Sequence, residues 1–518
     1  MGWGILEYSQ MAVPPGTATI GASSVPEPDV DSSSLKRHGD IILQPQPSDS
    51  PNDPLNWSPA WKESIMVILA FSSGVTTSLG PMVTPGLAVV GAKYNVSLDM
   101  VSSLLIGFLA FWIGFTTFFT AAGANIWGKR PFFVISTGLL FMTNVWGFFS
   151  SSFGSLAAMR VVQGIASAPL ETLVTSTVSD LFFVHQRGSR LSIWGCMIAS
   201  GVLLGQVISG FIIQNISFEA TFGISALIYI PILIIMYFVV IETTYNGPRG
   251  AIIEIEEKGV FKSAETAESE TYVDKLRLWR GRLSAESFWK NTWKPVPLIA
   301  YPAVLFSTIV YGSFFTWLLT ISVLSVTAFS SPPYLLGPAQ IGLTNLPLLG
   351  VALIGAPLSG WMVDAIAKGM AKRNNGVFEP EFRLILMLIA TPLATAGFLG
   401  FGISVHNGAP IQWPILFMSL HSLSVPFASQ ASLAYVIDCH AKDANQAFVT
   451  INFTKAVFTF MATTYANGLY TKMGPKALFT AITIVNLMIC SLTIPAYVFG
   501  KRFRGMVANS AFGQKLSR

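Results

Sequence analysis

From Pro295 to Val363 the chain runs for 69 residues without one charged side chain. A water-soluble domain has no place for so long an unbroken apolar segment, whereas a bilayer takes one helical span for roughly every 20 apolar residues. The stretch is too long for one crossing, and Ser330-Ser331-Pro332-Pro333 divides it into a hairpin of two. Similar windows predict twelve helical spans, at 64–91, 101–123, 131–150, 153–180, 188–213, 219–241, 296–326, 338–364, 383–405, 413–436, 446–471 and 477–500. Composition agrees, since 52% of the 518 residues are hydrophobic and 11% charged, too few charges to coat a soluble protein of this size. The expected fold class is all-α and integral to the membrane.

Other classes fall away. Three cysteines, Cys196, Cys439 and Cys490, are too few for a disulfide framework, and none sits in a C-x-x-C metal or redox spacing. The net charge of +5 does not call for a nucleic-acid partner, because the basic residues sort by position between the spans. With both ends in the cytosol, inner loops and tail hold Lys129, Arg130, Arg187, Arg190, Lys368, Lys372, Arg373, Arg383, Lys442, Lys501, Arg502 and Arg504, and outer loops hold Lys93, Lys472 and Lys476. The opposite orientation would violate the positive-inside rule at nearly every loop. The expectation is a multi-pass protein of the cell membrane with both termini cytosolic, monomeric, with the lipid bilayer around it. Asn95-Val96-Ser97 and Asn215-Ile216-Ser217 then lie outside as glycosylation acceptors. The opening MGWGILEYSQ lacks the basic start and apolar length of a secretory signal.

Composition shifts mark the domains. Residues 1–60, rich in Pro, Ser and Asp, are expected as a disordered cytosolic tail. Residues 61–245 and 295–501 form two six-helix halves, 246–294 a hydrophilic cytosolic linker and 502–518 a cytosolic tail. Trp279, Trp289 and Trp293 suit a linker helix anchored at the membrane surface. A weak repeat relates the halves. Pro169 precedes Asp180 in span four as Pro426 precedes Asp438 in span ten, and Ala121-x-x-x-Asn125 is echoed by Gly360-x-x-x-Asp364. Duplicated halves with proline-interrupted helices in matching positions point to a secondary transporter whose site lies between the halves near the midplane.

Ionisable groups inside spans cost free energy and are functional candidates by default. Arg160 and Glu171 stand eleven residues apart in span four, which brings them to within about 20° of one helical face, with Gln163, Gly164 and Ser167 between them. That stripe is expected to face a water-filled cavity, where Glu171 can load and unload a proton. Lys455 in span eleven lies at a similar depth, so an ion pair with Glu171 across the cavity is a further expectation. His421 in span ten titrates near neutrality unaided, although a lone His in an apolar helix more often packs than reacts. Tyr301, Tyr311, Phe314 and Phe315 in span seven, with Gln163, are the expected substrate wall for amphipathic or cationic organic solutes. No G-x-x-x-x-G-K-[ST] and no H-E-x-x-H occurs, so neither nucleotide fuel nor metal or other cofactor chemistry is indicated, and an enzyme is disfavoured.

Several motifs resemble the major facilitator superfamily. Ala121-Ala122-Gly123-Ala124-Asn125-Ile126-Trp127-Gly128-Lys129-Arg130 is similar to the family's loop between helices two and three, with Ala121 and Asn125 where Gly and Asp are usual. Arg160-x-x-Gln163-Gly164 resembles its helix-four motif, whose Arg is linked to proton coupling. Gly201, Gly205 and Gly210 fall as in its helix-five antiporter motif, with Gln206 for Pro and Ser209 for Gly. Asn52-Asp53-Pro54-Leu55-Asn56-Trp57, Asp180-Leu181-Phe182-Phe183, Glu242-Thr243-Thr244-Tyr245 and the segment from Arg373 to Leu384 resemble fungal proton-coupled exporters of drugs, polyamines and toxins. The resemblance implies two six-helix halves, gating by Asn125, Gly128, Lys129, Arg130, Gly360, Asp364, Gly201, Gly205 and Gly210, and proton-coupled efflux of a small organic molecule. Uptake of a polyamine-like or amino-acid-related solute, or a transporter-like nutrient sensor, are the alternatives.

Overall fold

The first span is interrupted by its own glycine and prolines. Helix Pro59–Ser78 gives way to a 3-10 turn at Pro81–Gly86 before helix Leu87–Tyr94 resumes. Pro81 and Pro85 bring no N–H to the helical ladder, so carbonyls near the break must find partners elsewhere. The later spans follow in the computed structural model as Leu98–Ser102 continuing through a π-turn into Phe108–Trp127, then Arg130–Phe148, Phe153–Leu181, Val184–Asn215 and Phe218–Val239. The second half contributes Pro302–Ser330, Pro338–Leu343 with Asn345–Arg373, Pro380–Leu386 with Met387–His406, and Gln412–Cys439. It ends on Ala444–Ser491, broken at Gly474 where φ is +75°, and Thr493–Asn509. Ser58, Ser97, Ser152 and Ser217 each start a helix by accepting a backbone N–H from three residues on. The structure describes residues 4–8, 14–19, 36–38, 41–43, 45–245, 247, 271–440 and 444–510. The first part of the linker, and Lys442 with its orienting charge, lie outside them.

Nine segments among the described residues are long and apolar enough to cross a membrane on length and composition alone. The break at Gly474 divides one of these into spans eleven and twelve, and spans four and ten complete the twelve. The last two are the matched, more polar helices of the two halves. Span four carries Arg160, Gln163 and Glu171, and span ten carries His421 among a run of serines. Both are packed among other helices rather than presented to lipid, which is why they tolerate this polarity.

The repeat seen in the sequence has a physical counterpart. Asp180 at the end of span four accepts from Lys129 Nζ at 2.5 Å, just before span three. Asp438 at the end of span ten is paired with Arg383 at the start of span nine, which also reaches Asp364 at 3.1 Å.

Between the halves, span two packs on span eleven and span five on span eight. Near Asn95 the halves are joined by hydrogen bonds. Asp99 Oδ1 accepts the Gly468 N–H at 2.8 Å, Ser102 donates to the Thr463 carbonyl at 2.8 Å, and Gln214 Oε1 accepts the Ala339 N–H at 3.0 Å. One end of the bundle is thereby sealed.

Within the N-terminal segment expected as a disordered tail, the described residues pack on the helices. Asp53 is fully buried and caps Leu55, and Ser48 bonds Tyr245. Further upstream, Ile5 packs on Ala371 and Phe382, Glu7 pairs with Lys501 at 2.6 Å, and Thr17 donates to Glu379 at 2.7 Å. Residues Ala18–Thr19 pair as a short strand with Val377–Phe378. Residues 4–8 and 14–19 thus lie against the second half. Buried Glu379, Glu381 and Arg504 there supply ion-pair partners that hydropathy alone does not reveal. Helix also continues to Asn509, beyond the end expected for the last span.

Candidate functional site

The breaks in span one and the small residues of span two leave a cavity of about 430 Å³ between the halves. It runs from the level of Gly80, Pro81 and Thr459 to Asn125, Ser176, Asn291 and Gln446, away from the sealed end. Such a volume suits a small organic molecule. Span four, beyond Pro169, turns Glu171, Thr172, Thr175 and Ser176 toward it, one continuous face of a helix. Spans seven and eleven supply Tyr311, Phe315, Asn452 and Lys455 from the other half.

Among the described residues, Glu171 is the only carboxylate and Lys455 the only cation in this lining. Lys455 is the charge that acts on Glu171, yet no ion pair within 4.0 Å joins them and Glu171 accepts no hydrogen bond among the described residues. Lys455 Nζ instead lies 4.4 Å from the Phe315 ring centre and 5.7 Å from that of Tyr311. The expected direct pair is therefore not made, because the aromatic faces hold the ammonium.

Other expected residues lie elsewhere. Arg160 and Gln163 are fully buried, outside the cavity. The guanidinium donates to the Leu79 carbonyl at 2.8 Å and to Gln163 Oε1 at 2.6 Å, and lies over the Phe222 ring. The predicted stripe is thus split. Its first part serves a carbonyl at the break in span one, and only the part beyond Pro169 meets the cavity. In span seven, Tyr311 and Phe315 are one turn apart and face the cavity, whereas Phe314, a 100° step away, packs toward His421. His421 is shut between Phe398 and Phe314 and does not reach the cavity. Tyr301 packs with Val436, Ala447 and Ile451 and lies 4.7 Å, centre to centre, from the His440 ring. His440 lies past the end of span ten, where burial, with a smaller push from the Arg504 charge, lowers its pKa to about 4 and keeps it neutral at physiological pH.

Among the lining residues that escape a reading of the sequence are Trp194, Asn291 and Gln446. Each sits near the end of a span or in the linker, where polar and interfacial residues are ordinary, so pattern carries no signal for them.

At the end of the bundle away from Asn95, Gly128, Lys129 and Arg130 gather around Glu242, whereas the other expected gating residues are spread along the bundle. Glu242 accepts the backbone N–H groups of Lys129 at 3.0 Å and Arg130 at 3.1 Å, capping span three. Gly128 has φ +89°, and a Cβ there would sit 2.3 Å from Glu242 Oε2, so both backbone and carboxylate require glycine. Arg130 donates to the carbonyls of Lys275 and Tyr237, tying linker to bundle, and Asn125 lines the cavity mouth. Gly360 faces open space, so its place in the repeat does not mark a close approach. Gly201 and Gly205 bring span five against span one, and Gly210 brings it against Pro338 of the other half. Gln206 accepts from Ser322 of span seven at 2.9 Å, a cross-half bond that the usual proline would not make. Asn95 and Asn215 are both exposed. Among the described residues no group of three or more His, Cys, Asp or Glu is placed to hold a metal ion.

The family model described as Major Facilitator Superfamily matches residues 65–463. The chain is 24% identical over 531 aligned positions to an uncharacterized MFS-type transporter of Schizosaccharomyces pombe, covering 92% of this chain and 90% of the relative. It is 25% identical over 567 positions to protein HOL1 of Saccharomyces cerevisiae, covering 95% of each. Among solved structures, the proton:xylose symporter XylE bound to 6-bromo-6-deoxy-D-glucose superposes with a TM-score of 0.56 at 15% identity, over 86% of this chain and 97% of that one. This last likeness is one of fold.

Proposed function

Because this chain belongs to the major facilitator superfamily, a family of transporters rather than enzymes, we propose that it is a proton-coupled antiporter that exports a small organic molecule by alternating access. The observation that carries the reading is Glu171, an unpaired carboxylate in a cavity between two halves that are sealed at one end. In this scheme the carboxylate takes a proton when the cavity opens outward. Solute arriving from the cytosol then displaces it, and the charge on Glu171 sets its attraction to Lys455 across the two halves.

The cavity mouth at Asn125 and Gln446 is read as cytosolic, with both termini and the linker on that side of the cell membrane. The chain is read as acting as a monomer, with Asn95 and Asn215 as glycosylated outer sites. A membrane-impermeant thiol reagent applied to intact cells should label a cysteine placed at Asn95 and miss one placed at Arg282. Labelling at Arg282 would reverse the topology.

The transport reading is tested in proteoliposomes with an acidic lumen and a trapped pH dye. Adding the exported solute from a panel of amines, amino acids and aromatic toxins should drain the lumenal acid faster than in protein-free liposomes. Solute entry that requires acid on the same side as the solute would make the protein a symporter, and no response across the panel would remove the transport reading.

A further inference from the structure

We infer that the cavity is built for a zwitterion, a solute carrying an ammonium and a carboxylate on an apolar or aromatic body, rather than for a simple organic cation. The inference rests on the transporter reading and names its substrate class. Its ground is the pair of opposite charges that share one cavity without meeting. Glu171 stands on span four of the first half, and Lys455 on span eleven of the second, with no ion pair within 4.0 Å between them.

A lone cation bound at Glu171 would share its cavity with the like charge of Lys455. A lone anion would meet the reverse. A polyamine would bring several cations to a lining with one carboxylate. Only a solute with both signs offsets both walls, and each wrong partner is rejected by a repulsion as well as by a missing attraction.

Independent support comes from neutral groups in the same lining. Trp194 Nε1, Asn291 Nδ2 and Gln446 Oε1 are buried and make no hydrogen bond among the described residues. Buried polar atoms normally have partners, and these three are left free to bond a solute or water that enters the cavity. The indole N–H donates only, which suits a carboxylate oxygen, and either amide can present the atom required. Thr450 Oγ1 donates to the Pro295 carbonyl at 2.6 Å, and Asn291 and Gln446 each lie four residues before one member of that bond. The two amides therefore enter the cavity on adjacent segments at the same end. Trp194 supplies a face for an aromatic body, and Tyr311 and Phe315, whose rings hold the Lys455 ammonium, add apolar wall beside it.

The test is binding to the full-length chain purified in detergent, by calorimetry, with three probes on one skeleton: phenylalanine, phenethylamine and 3-phenylpropionate. Phenylalanine should bind about tenfold or more tightly than either singly charged probe. Lys455→Met should remove its advantage over phenethylamine, and Glu171→Gln its advantage over phenylpropionate. The native ranking stands as evidence even where a variant fails to fold. A singly charged probe binding as tightly as phenylalanine, or no binding by any of the three, overturns the inference. No gradient is applied, so a negative result leaves proton-coupled export standing. Conversely, phenylalanine binding by a chain that moves no protons would keep the site and refute the transport.

Discussion

Glu171→Gln should reduce pH-driven accumulation of solute to the level of protein-free liposomes, while downhill exchange persists at weakened affinity. Gln keeps the size and hydrogen-bonding shape of the side chain but cannot cycle its charge. Glu171 and Lys455 belong to different halves, so on the proposed mechanism the charge on the carboxylate is a term in the equilibrium between the two openings of the cavity. At the effective dielectric of a hydrated site a unit-charge pair beyond 4 Å interacts by less than about 4 kcal/mol, still enough to shift such an equilibrium by up to several hundred-fold. With neutral Gln the bias is fixed and a proton gradient has nothing to act on. The measurement is solute uptake into proteoliposomes with the gradient imposed and then collapsed by an ionophore. Wild-type-like accumulation by the variant would take Glu171 out of the coupling. The search would then move to Asp99 at the sealed end, because His421 is walled off by Phe314 and Phe398.

A single methyl group at Gly201 should be the most damaging small substitution in the bundle. A Cβ there would lie 1.9 Å from the Gly74 carbonyl oxygen, and also 2.8 Å from Thr77 Oγ1. The first obstacle is backbone, which no rotamer change relieves, so spans one and five must part along their contact. Overpacking of this kind costs about 1–3 kcal/mol or more, and here it also disturbs the break in span one that shapes the cavity. Gly201→Ala should lower the thermal midpoint of the detergent-purified protein by several degrees and abolish transport. Gly195→Ala, on the same helix with nothing within 4 Å of its added methyl, should behave as wild type. Equal midpoints for the two variants would show that the helices are not held at this distance in solution.

Much of the architecture is legible in the amino-acid order, because hydrocarbon imposes a simple rule. Charge-free windows of the right length must become helices, since in lipid every backbone polar group has to be satisfied within the span. That rule yields twelve spans, the hairpin at Ser330–Pro333 and the two matched polar helices. It also brings out Glu171 and Lys455, since a charge inside a span is rare enough to be conspicuous.

What the rule cannot supply is which way each side chain faces once helices pack. Arg160 and Glu171 share a face by angle alone, but the neighbour along that face changes. The carbonyl of Leu79, freed at the break in span one, claims the arginine, and only the glutamate is left to the cavity. Tyr311 and Phe314 are indistinguishable as aromatics in one span, and packing against His421 alone divides cavity wall from core. Trp194, Asn291 and Gln446 are brought together from span five, the linker and span eleven, and the ends of helices carry polar residues too commonly to be noticed. Partition into lipid depends on composition within one segment, so the sequence alone determined the spans and the charges buried in them. The site depends on contacts between segments far apart in the chain, and those only the tertiary structure decided.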